Sequence, residues 1–423
     1  MSHIALSKSE STTAHVASVN WYGWVMVVVA SVAMVATLPG RTHGLGMITE
    51  RLLNDASLGL TRTGFGHLNL WATLLGSLFC FGIGRLIDRH GIRLILAIVM
   101  LALGSVVVAM TQLTSIPLLF IAILFTRGLG QSAQSVVSIT IVGKWFGRNV
   151  SVPMAVYSVL MAGGFIAAAL IGRNFADVDW RTFWATLGWS VLGLACILVV
   201  FARDRKSTDV APASNINTGQ GPDFTHRQAL ATSMFWVGAI SISLYGMIVS
   251  GISLFNESIL ADQGFPKDVY YESLALGTAI GVLSKLTAGV LGLYVPVNRL
   301  LSTALLLLSV SLVWLMQLST YADVITYVVI SGAAGGMLTV LFFSTWSQLY
   351  GQAQLGQIQG SAQMLTVIAS AFGPLLFAQV RESSGSYFPL VWFLAGLALL
   401  TAVTAWFTPL PRHPSLLKAE SLT

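Results

Sequence analysis

The sequence predicts an all-α integral membrane protein of twelve transmembrane helices in two pseudo-symmetric six-helix bundles, and three observations predict it. Only 9% of the 423 residues are charged while 55% are hydrophobic, far from the roughly one-quarter charged of soluble domains. The apolar residues gather into runs long enough to cross a hydrocarbon core about 30 Å thick at about 1.5 Å of rise per residue. The third observation is a sparse repeat. Gly59-Leu60-Thr61, Gly84 and Trp145-Phe146-Gly147 have counterparts at Gly264-Phe265-Pro266, Gly289 and Leu349-Tyr350-Gly351. One register held across most of each half favours a parallel duplication about an axis along the membrane normal, with a path between the halves and a site near the midplane.

In chain order, residues 1–20 are polar and read as a tail. Trp21 onward reads as a retained first helix, because a signal peptide needs its apolar region nearer the start and a small-residue cleavage site. The first bundle, 21–202, is expected to place spans at about 21–43, 63–87, 94–112, 117–145, 152–175 and 182–201. A polar linker over 203–228, with Pro212, Pro222 and the run from Ser214 to Gly219, lacks a periodic apolar face and reads as solvated chain. The second bundle, 229–408, is expected to hold spans at about 229–261, 270–293, 299–318, 322–350, 358–380 and 387–407, and 409–423 form a second tail.

Orientation follows from lysine and arginine. One set of loops carries Lys8, Arg85, Arg89, Arg93, Lys144, Arg148, Arg203, Arg205, Lys206, Arg227, Arg299, Arg412 and Lys418; the other carries Arg51, Arg62, Arg173, Arg181, Lys267 and Arg381. The positive-inside rule puts both termini and the linker in the cytoplasm, and a bacterial inner membrane is expected. The net charge of +6 is spread over these short loops without a continuous patch, so the expected partner is the lipid bilayer and not nucleic acid. Cys80 and Cys196 both fall in apolar runs and read as packing residues, not as a redox or metal pair. No metal cluster, nucleophile elbow or phosphate loop suggests an enzyme, and neither a cofactor nor a metal is expected.

The stretch from Gly84 to Arg93 concentrates charge and glycine between two apolar runs and is expected to be a tight turn at one membrane face. It resembles the loop 2–3 signature of the major facilitator superfamily: Gly84, Leu86, Asp88, Arg89, Gly91 and Arg93 match, and Ile92 stands where a second basic residue is common. Arg127-Gly128-Leu129-Gly130 is similar to that family's helix 4 motif, and Lys144-Trp145-Phe146-Gly147-Arg148 to its loop 4–5 segment. The resemblance covers essentially the whole chain. Pro39-Gly40-Arg41-Thr42, Lys285 and Gly373-Pro374 look like the monocarboxylate and oxalate/formate porter branch. That resemblance implies that Arg41 and Lys285 hold a substrate carboxylate. Lysine replaces the usual arginine in helix 8, and Gly281 stands where some members carry a proton-accepting aspartate.

Energetics converge on the same residues. A charge deep in a membrane helix costs at least about 2.5–3.5 kcal/mol on insertion scales, so Arg41, Arg127, Glu257 and Lys285 are expected to face a cavity or a partner. Three cations against one carboxylate make the interior net positive. Each has a plainer alternative: Arg127 can brace neighbouring helices, while Arg41 and Glu257 lie toward helix ends from which they can snorkel. Gln134, Tyr157, Tyr245 and Gln363 are further substrate-binding candidates beside their role as helix-packing hydrogen bonders. His67 and Glu257 are the candidates for carrying a proton, with His67 equally readable as an interfacial residue.

The gating set is Gly84, Asp88, Arg89, Gly91, Arg93, Arg127 and Arg148. Asp88 is expected to meet a helix N-terminus of the other half near Leu355 to Ile358, braced by Arg89, Arg93 and Arg148. The second half has no matching acid between Gly289 and Pro296, so the latch is expected to be one-sided. Together these readings point to a monomeric, proton-coupled carrier of a small organic anion that works by alternating access. Alternatives are a carrier of neutral or drug-like solutes and a non-transporting sensor. Met161-Ala162-Gly163-Gly164 lacks the proline common in helix 5 of the family's drug exporters.

Overall fold

A computed structural model provides the structure, which describes residues 21–55, 57–173, 175, 178–204 and 222–415. The first tail, most of the linker and the last eight residues, with Lys8, Arg205, Lys206 and Lys418, lie outside the described residues. The described residues are helical and include no strand. Among the described residues eleven helices are long and apolar enough to cross a membrane, and Trp21–Val35 is apolar but shorter.

The first span consists of α1 (Trp21–Val35), a 3-10 turn at Leu38–Gly40 and α2 (Thr42–Leu53). The second is α3 (Arg62–Gly76) with α4 (Phe79–His90), and the third is α5 (Ile92–Met110). The fourth runs through α6 (Ile116–Thr126), a π-helical segment at Arg127–Gln134 and α7 (Ser135–Phe146). The first half ends with α8 (Ser151–Arg173) and α9 (Trp180–Phe201). A short α10 (His226–Leu230) precedes α11 (Ser233–Asp262), α12 (Lys267–Leu291) and α13 (Val297–Leu315). The chain closes with α14 (Tyr321–Tyr350), α15 (Leu355–Ser384) and α16 (Phe388–Phe407). The side where α9 ends and α10 begins is the linker face; the opposite side is the far face.

Packing repeats six spans on. The third and sixth spans, α5 and α9, pack together as α13 and α16 do, and α3 packs on α6 as α12 does on α14. The first and fifth spans touch through Ser31, whose Oγ lies 3.4 Å from the carbonyl of Tyr157, and their counterparts α11 and α15 share a long interface. Each half has its own apolar core, around Val99, Leu103 and Trp184 in the first and Leu305, Leu312 and Leu338 in the second.

Three expectations are corrected. The first span is not one helix to His43: it breaks at Pro39-Gly40, where a Cβ on Gly40 would overlap the carbonyl of Thr126 and crowd Gly130. The seventh span begins at Ser233, not at 229. Thr225 and Gln228 form a capping box that starts α10, and Thr232 caps a fresh helix after it. The stretch from Gly84 to Arg93 is mostly helix. α4 continues to His90 and the turn is Gly91 alone, at φ +87°, with the Asp204 carboxylate where a side chain would stand.

At the far face Asp55 ties the first span to the sixth. It accepts from the Ser57 amide and hydroxyl, from Trp180 Nε1 at 2.9 Å and from Arg181 Nη2 at 2.9 Å. The Ser57 hydroxyl first, then Trp180, the Ser57 amide and Arg181, hold its carboxyl down to about 2. A depressed carboxylate stabilises the fold above its unfolded pKa of about 3.9 and loses that contribution as pH falls through the folded value. Thermal denaturation should show Asp55→Asn less stable than the natural protein at pH 5, with the difference vanishing near pH 2.

Candidate functional site

Arg127 is 1% exposed and sits where the fourth span leaves α-helical geometry. It donates from Nε and Nη2 to Asn69 Oδ1 at 3.0 and 2.6 Å. From Nη1 it donates to the Gly40 carbonyl, Thr42 Oγ1 and Gln131 Oε1 at 3.0 to 3.2 Å. One guanidinium therefore joins the interruptions of the first and fourth spans to the second span. Its acceptors are all neutral, and they engage all three of its nitrogens, which favours the bracing reading over substrate contact. A lysine keeps the charge but not the fork; Arg127→Lys should lower stability by about 2 kcal/mol, read as a lower midpoint of thermal unfolding in detergent.

Arg41 is half-buried next to the same break. It donates to Thr37 Oγ1 and Ser135 Oγ at 2.9 Å each, meets Met34 Sδ at 2.8 Å and lies over the Phe165 ring at 5.6 Å. Tyr157 is fully buried nearby, its hydroxyl 2.9 Å from Ser138 Oγ. Gln134 is buried too, donating to the Ala33 carbonyl at 3.4 Å while its Oε1 has no partner. Gln363 Oε1 on α15 is likewise buried and unpartnered.

The second half contains a cavity of about 380 Å³ between α11, α12 and α14, backed by Leu308 and Leu312 of α13 and touched by Ala162 of α8. Each of the three helices contributes a stripe at three- or four-residue spacing: Tyr245, Val249, Ile252 and Asn256; Ser273, Gly277, Gly281 and Lys285; Tyr327, Ser331, Gly335 and Thr339. The glycines also let α12 and α14 touch, since a Cβ on Gly336 would stand 2.6 Å from the Gly281 carbonyl. Tyr245 and Thr339 donate their hydroxyls to the one carbonyl of Gly335, at 3.2 and 2.7 Å. Lys285 is half-buried in the wall, and among the described residues nothing accepts from its ammonium and no carboxylate pairs with it.

The structure thus brings Lys285 and Tyr245 into one cavity. Arg41 and Tyr157 lie on the first-half side, linked to the cavity by α8, because Phe165 under Arg41 is three residues from Ala162 and shares its helix face. Two proposed proton carriers do not join them. Glu257 is exposed and the wall at its level is formed by Asn256. His67 is exposed in a separate apolar groove near Leu60, Trp71 and Phe120. Asn256, Thr339, Tyr327 and Ser273 were missed by reading charges; the four-residue spacing of small and polar side chains was the available signal.

On the linker face the halves are locked along two seams. Asp88 accepts from the Gly356 and Gln357 amides at 3.1 and 2.9 Å, the first turn of α15, and pairs with Lys144 at 2.8 Å. The expected brace is corrected here: the ion-pair partner shown is Lys144. Arg93 instead donates to the Val199 carbonyl at 3.0 Å, Arg148 reaches the Pro222 carbonyl at 3.5 Å, and Arg89 is exposed. Gly84 lies so close that a Cβ on it would overlap the Gly356 carbonyl. Within the second half His226 fastens α10 to α15, its amide bonded to Gln354 Oε1 at 2.6 Å and its Nε2 2.9 Å from Ser361 Oγ. The other seam is uncharged: Gly289 abuts Ala155, and Ser151 lies 2.7 Å from Gln348 Nε2.

Two six-helix halves joined on one face around polar, cation-bearing surfaces are the architecture of a membrane transporter. The family model of the Major Facilitator Superfamily matches residues 16–374, and the chain belongs to that superfamily. Similar solved structures include the human organic anion transporter MFSD10 (TETRAN), at TM-score 0.63 and 16% identity over 93% of this chain and 99% of that one. FucP in the outward conformation is similar at TM-score 0.68 and 11% identity over 92% and 99%. The proton:xylose symporter XylE, bound to 6-bromo-6-deoxy-D-glucose, is similar at TM-score 0.69 and 13% identity over 93% and 96%. No curated protein sequence matches it.

Proposed function

We propose that this protein is a secondary transporter of a small organic anion, with monocarboxylates the expected class, working by alternating access as a monomer with its linker face in the cytoplasm. The observation that carries the reading is Lys285, a cation in a polar cavity of a membrane bundle with no partner among the described residues. Such a charge is retained against an insertion cost of about 2.5–3.5 kcal/mol when a ligand neutralises it. The similar fold of a human organic anion transporter agrees with this reading.

A monovalent anion entering against a negative interior must overcome about 2.3 kcal/mol per 100 mV, so uptake requires a co-transported proton, whereas efflux is downhill. Glu257 and His67 remain the proposed proton carriers, acting from outside the cavity wall. The lock at Asp88 closes the cytoplasmic gate, and Gly84 permits its close approach, while Gly91 makes the turn that ends α4 beside it. Flux into proteoliposomes, measured with labelled carboxylates, sugars and cationic dyes with and without a pH gradient, tests the proposal. Carboxylate uptake driven by an inward proton gradient is the expected outcome; sugar or dye uptake alone would overturn it.

A further inference from the structure

The cavity has two polar rungs separated by an apolar sleeve. Tyr245 lies 17 residues from the far end of α11, and Lys285 and Thr339 each lie 18 residues from the far ends of α12 and α14. Asn256, Ser273 and Tyr327 each lie six residues from those same ends. The rungs are therefore separated by about 17 Å of helix rise. Between them the walls include Ile248, Val249, Ile252, Val282 and Val328. The hydroxyls of Ser253, Thr278 and Ser331 there are turned back onto their own helices, so they do not interrupt the apolar surface.

Each rung has one group awaiting a partner. On the lower rung it is the Lys285 ammonium; on the upper it is Asn256 Oδ1, which is buried without a donor. Helical side chains lean toward their helix N-terminus. That is the far face for Lys285 on α12 and the linker face for Asn256 on α11, so the two reach toward each other and leave a gap of roughly 10 Å. At carbon–carbon bonds of about 1.5 Å, an extended chain of roughly seven to nine carbons spans it.

Resting on the anion reading above, we infer that the substrate is an elongated amphiphilic carboxylate: an anionic head on Lys285, an apolar body in the sleeve and a hydrogen-bond donor at its distal end on Asn256. Acetate-sized anions would fill only the floor.

Binding to the purified protein in lipid nanodiscs, with protein-free discs subtracted, tests this using acetate, butanoate, hexanoate, octanoate, octanamide and 8-hydroxyoctanoate. The expected result is affinity rising about threefold per methylene up to octanoate, and 8-hydroxyoctanoate binding about tenfold tighter than octanoate. That hydroxyl preference should be lost in Asn256→Leu and in Asn256→Ala, the ratio of 8-hydroxyoctanoate to octanoate affinity falling to about one in both. Acetate binding as tightly as octanoate, or a hydroxyl preference that survives both substitutions, overturns the inference while leaving the anion reading intact. Octanamide binding as well as octanoate, or octanoate binding unaffected by Lys285→Gln, overturns the anion reading itself.

Discussion

Replacing Lys285 with glutamine should abolish carboxylate transport, lowering initial flux on the order of 100-fold, while folded protein remains in the membrane. The magnitude follows from the setting. A charge pair between a ligand anion and a cation in a desolvated site is worth about 2–5 kcal/mol when one partner is removed, and each 1.36 kcal/mol is about a factor of ten. The ammonium is unpartnered among the described residues, so its removal leaves no internal acceptor stranded and relieves the cost of holding a bare charge in a helix. The variant should therefore unfold at the same or a higher temperature than the natural protein when no ligand is present. Lys285→Arg retains charge and adds a planar fork suited to carboxylates; it should keep transport and bind tighter. Undiminished flux in the glutamine variant, or a large loss of stability, would remove Lys285 from the binding site.

Lys285 was legible in the sequence because a lone cation inside an apolar run is costly wherever the helix packs. The partner of Asp88 was legible too: the amides it meets, Gly356 and Gln357, fall within the expected stretch from Leu355 to Ile358. The broken first span was not. Pro39 and Gly40 are visible in the chain, but the break depends on Gly40 lying against Gly130 and on Arg127 binding the freed carbonyl, and both of those come from another span. The π segment is hidden for the same reason, since Arg127 to Gln134 carries no residue that forbids an α-helix. Asn256 escaped notice because a carboxamide next to Glu257 draws less attention than the charge. Only the rotation of α11 decides which of the two faces the cavity. Arg89, Arg93 and Arg148 were natural braces by proximity in sequence, whereas Lys144 reaches Asp88 from the end of α7.

The charge on one seam and its absence from the other make Asp88→Asn the second large effect. In the structure the carboxylate receives two amides of the first turn of α15 and the Lys144 ammonium. The α15 dipole adds to their attraction. An asparagine offers one acceptor oxygen, so one amide faces an NH2 group and Lys144 loses its counter-ion. Hydrogen bonds to charged groups contribute about 1.5–3 kcal/mol each, and about 3 kcal/mol in total shifts a two-state equilibrium on the order of 100-fold. Because the Gly289 seam consists of close glycine packing and the Ser151 contacts, among the described residues it holds no second ionic lock to compensate. The linker face should open. Spin labels on Arg89→Cys and Ala353→Cys, in a Cys196→Ala background with buried Cys80 retained, would read this as a longer distance population. Under the proposed alternating access, carboxylate binding measured from the far face should weaken in parallel, because that side would close as the linker side opens. Asp88→Glu should restore the closed population in part, because its longer carboxylate keeps the charge but must crowd the Gly84 and Gly356 contact. A distance distribution in Asp88→Asn identical to that of the natural protein would show that glycine packing alone holds the gate.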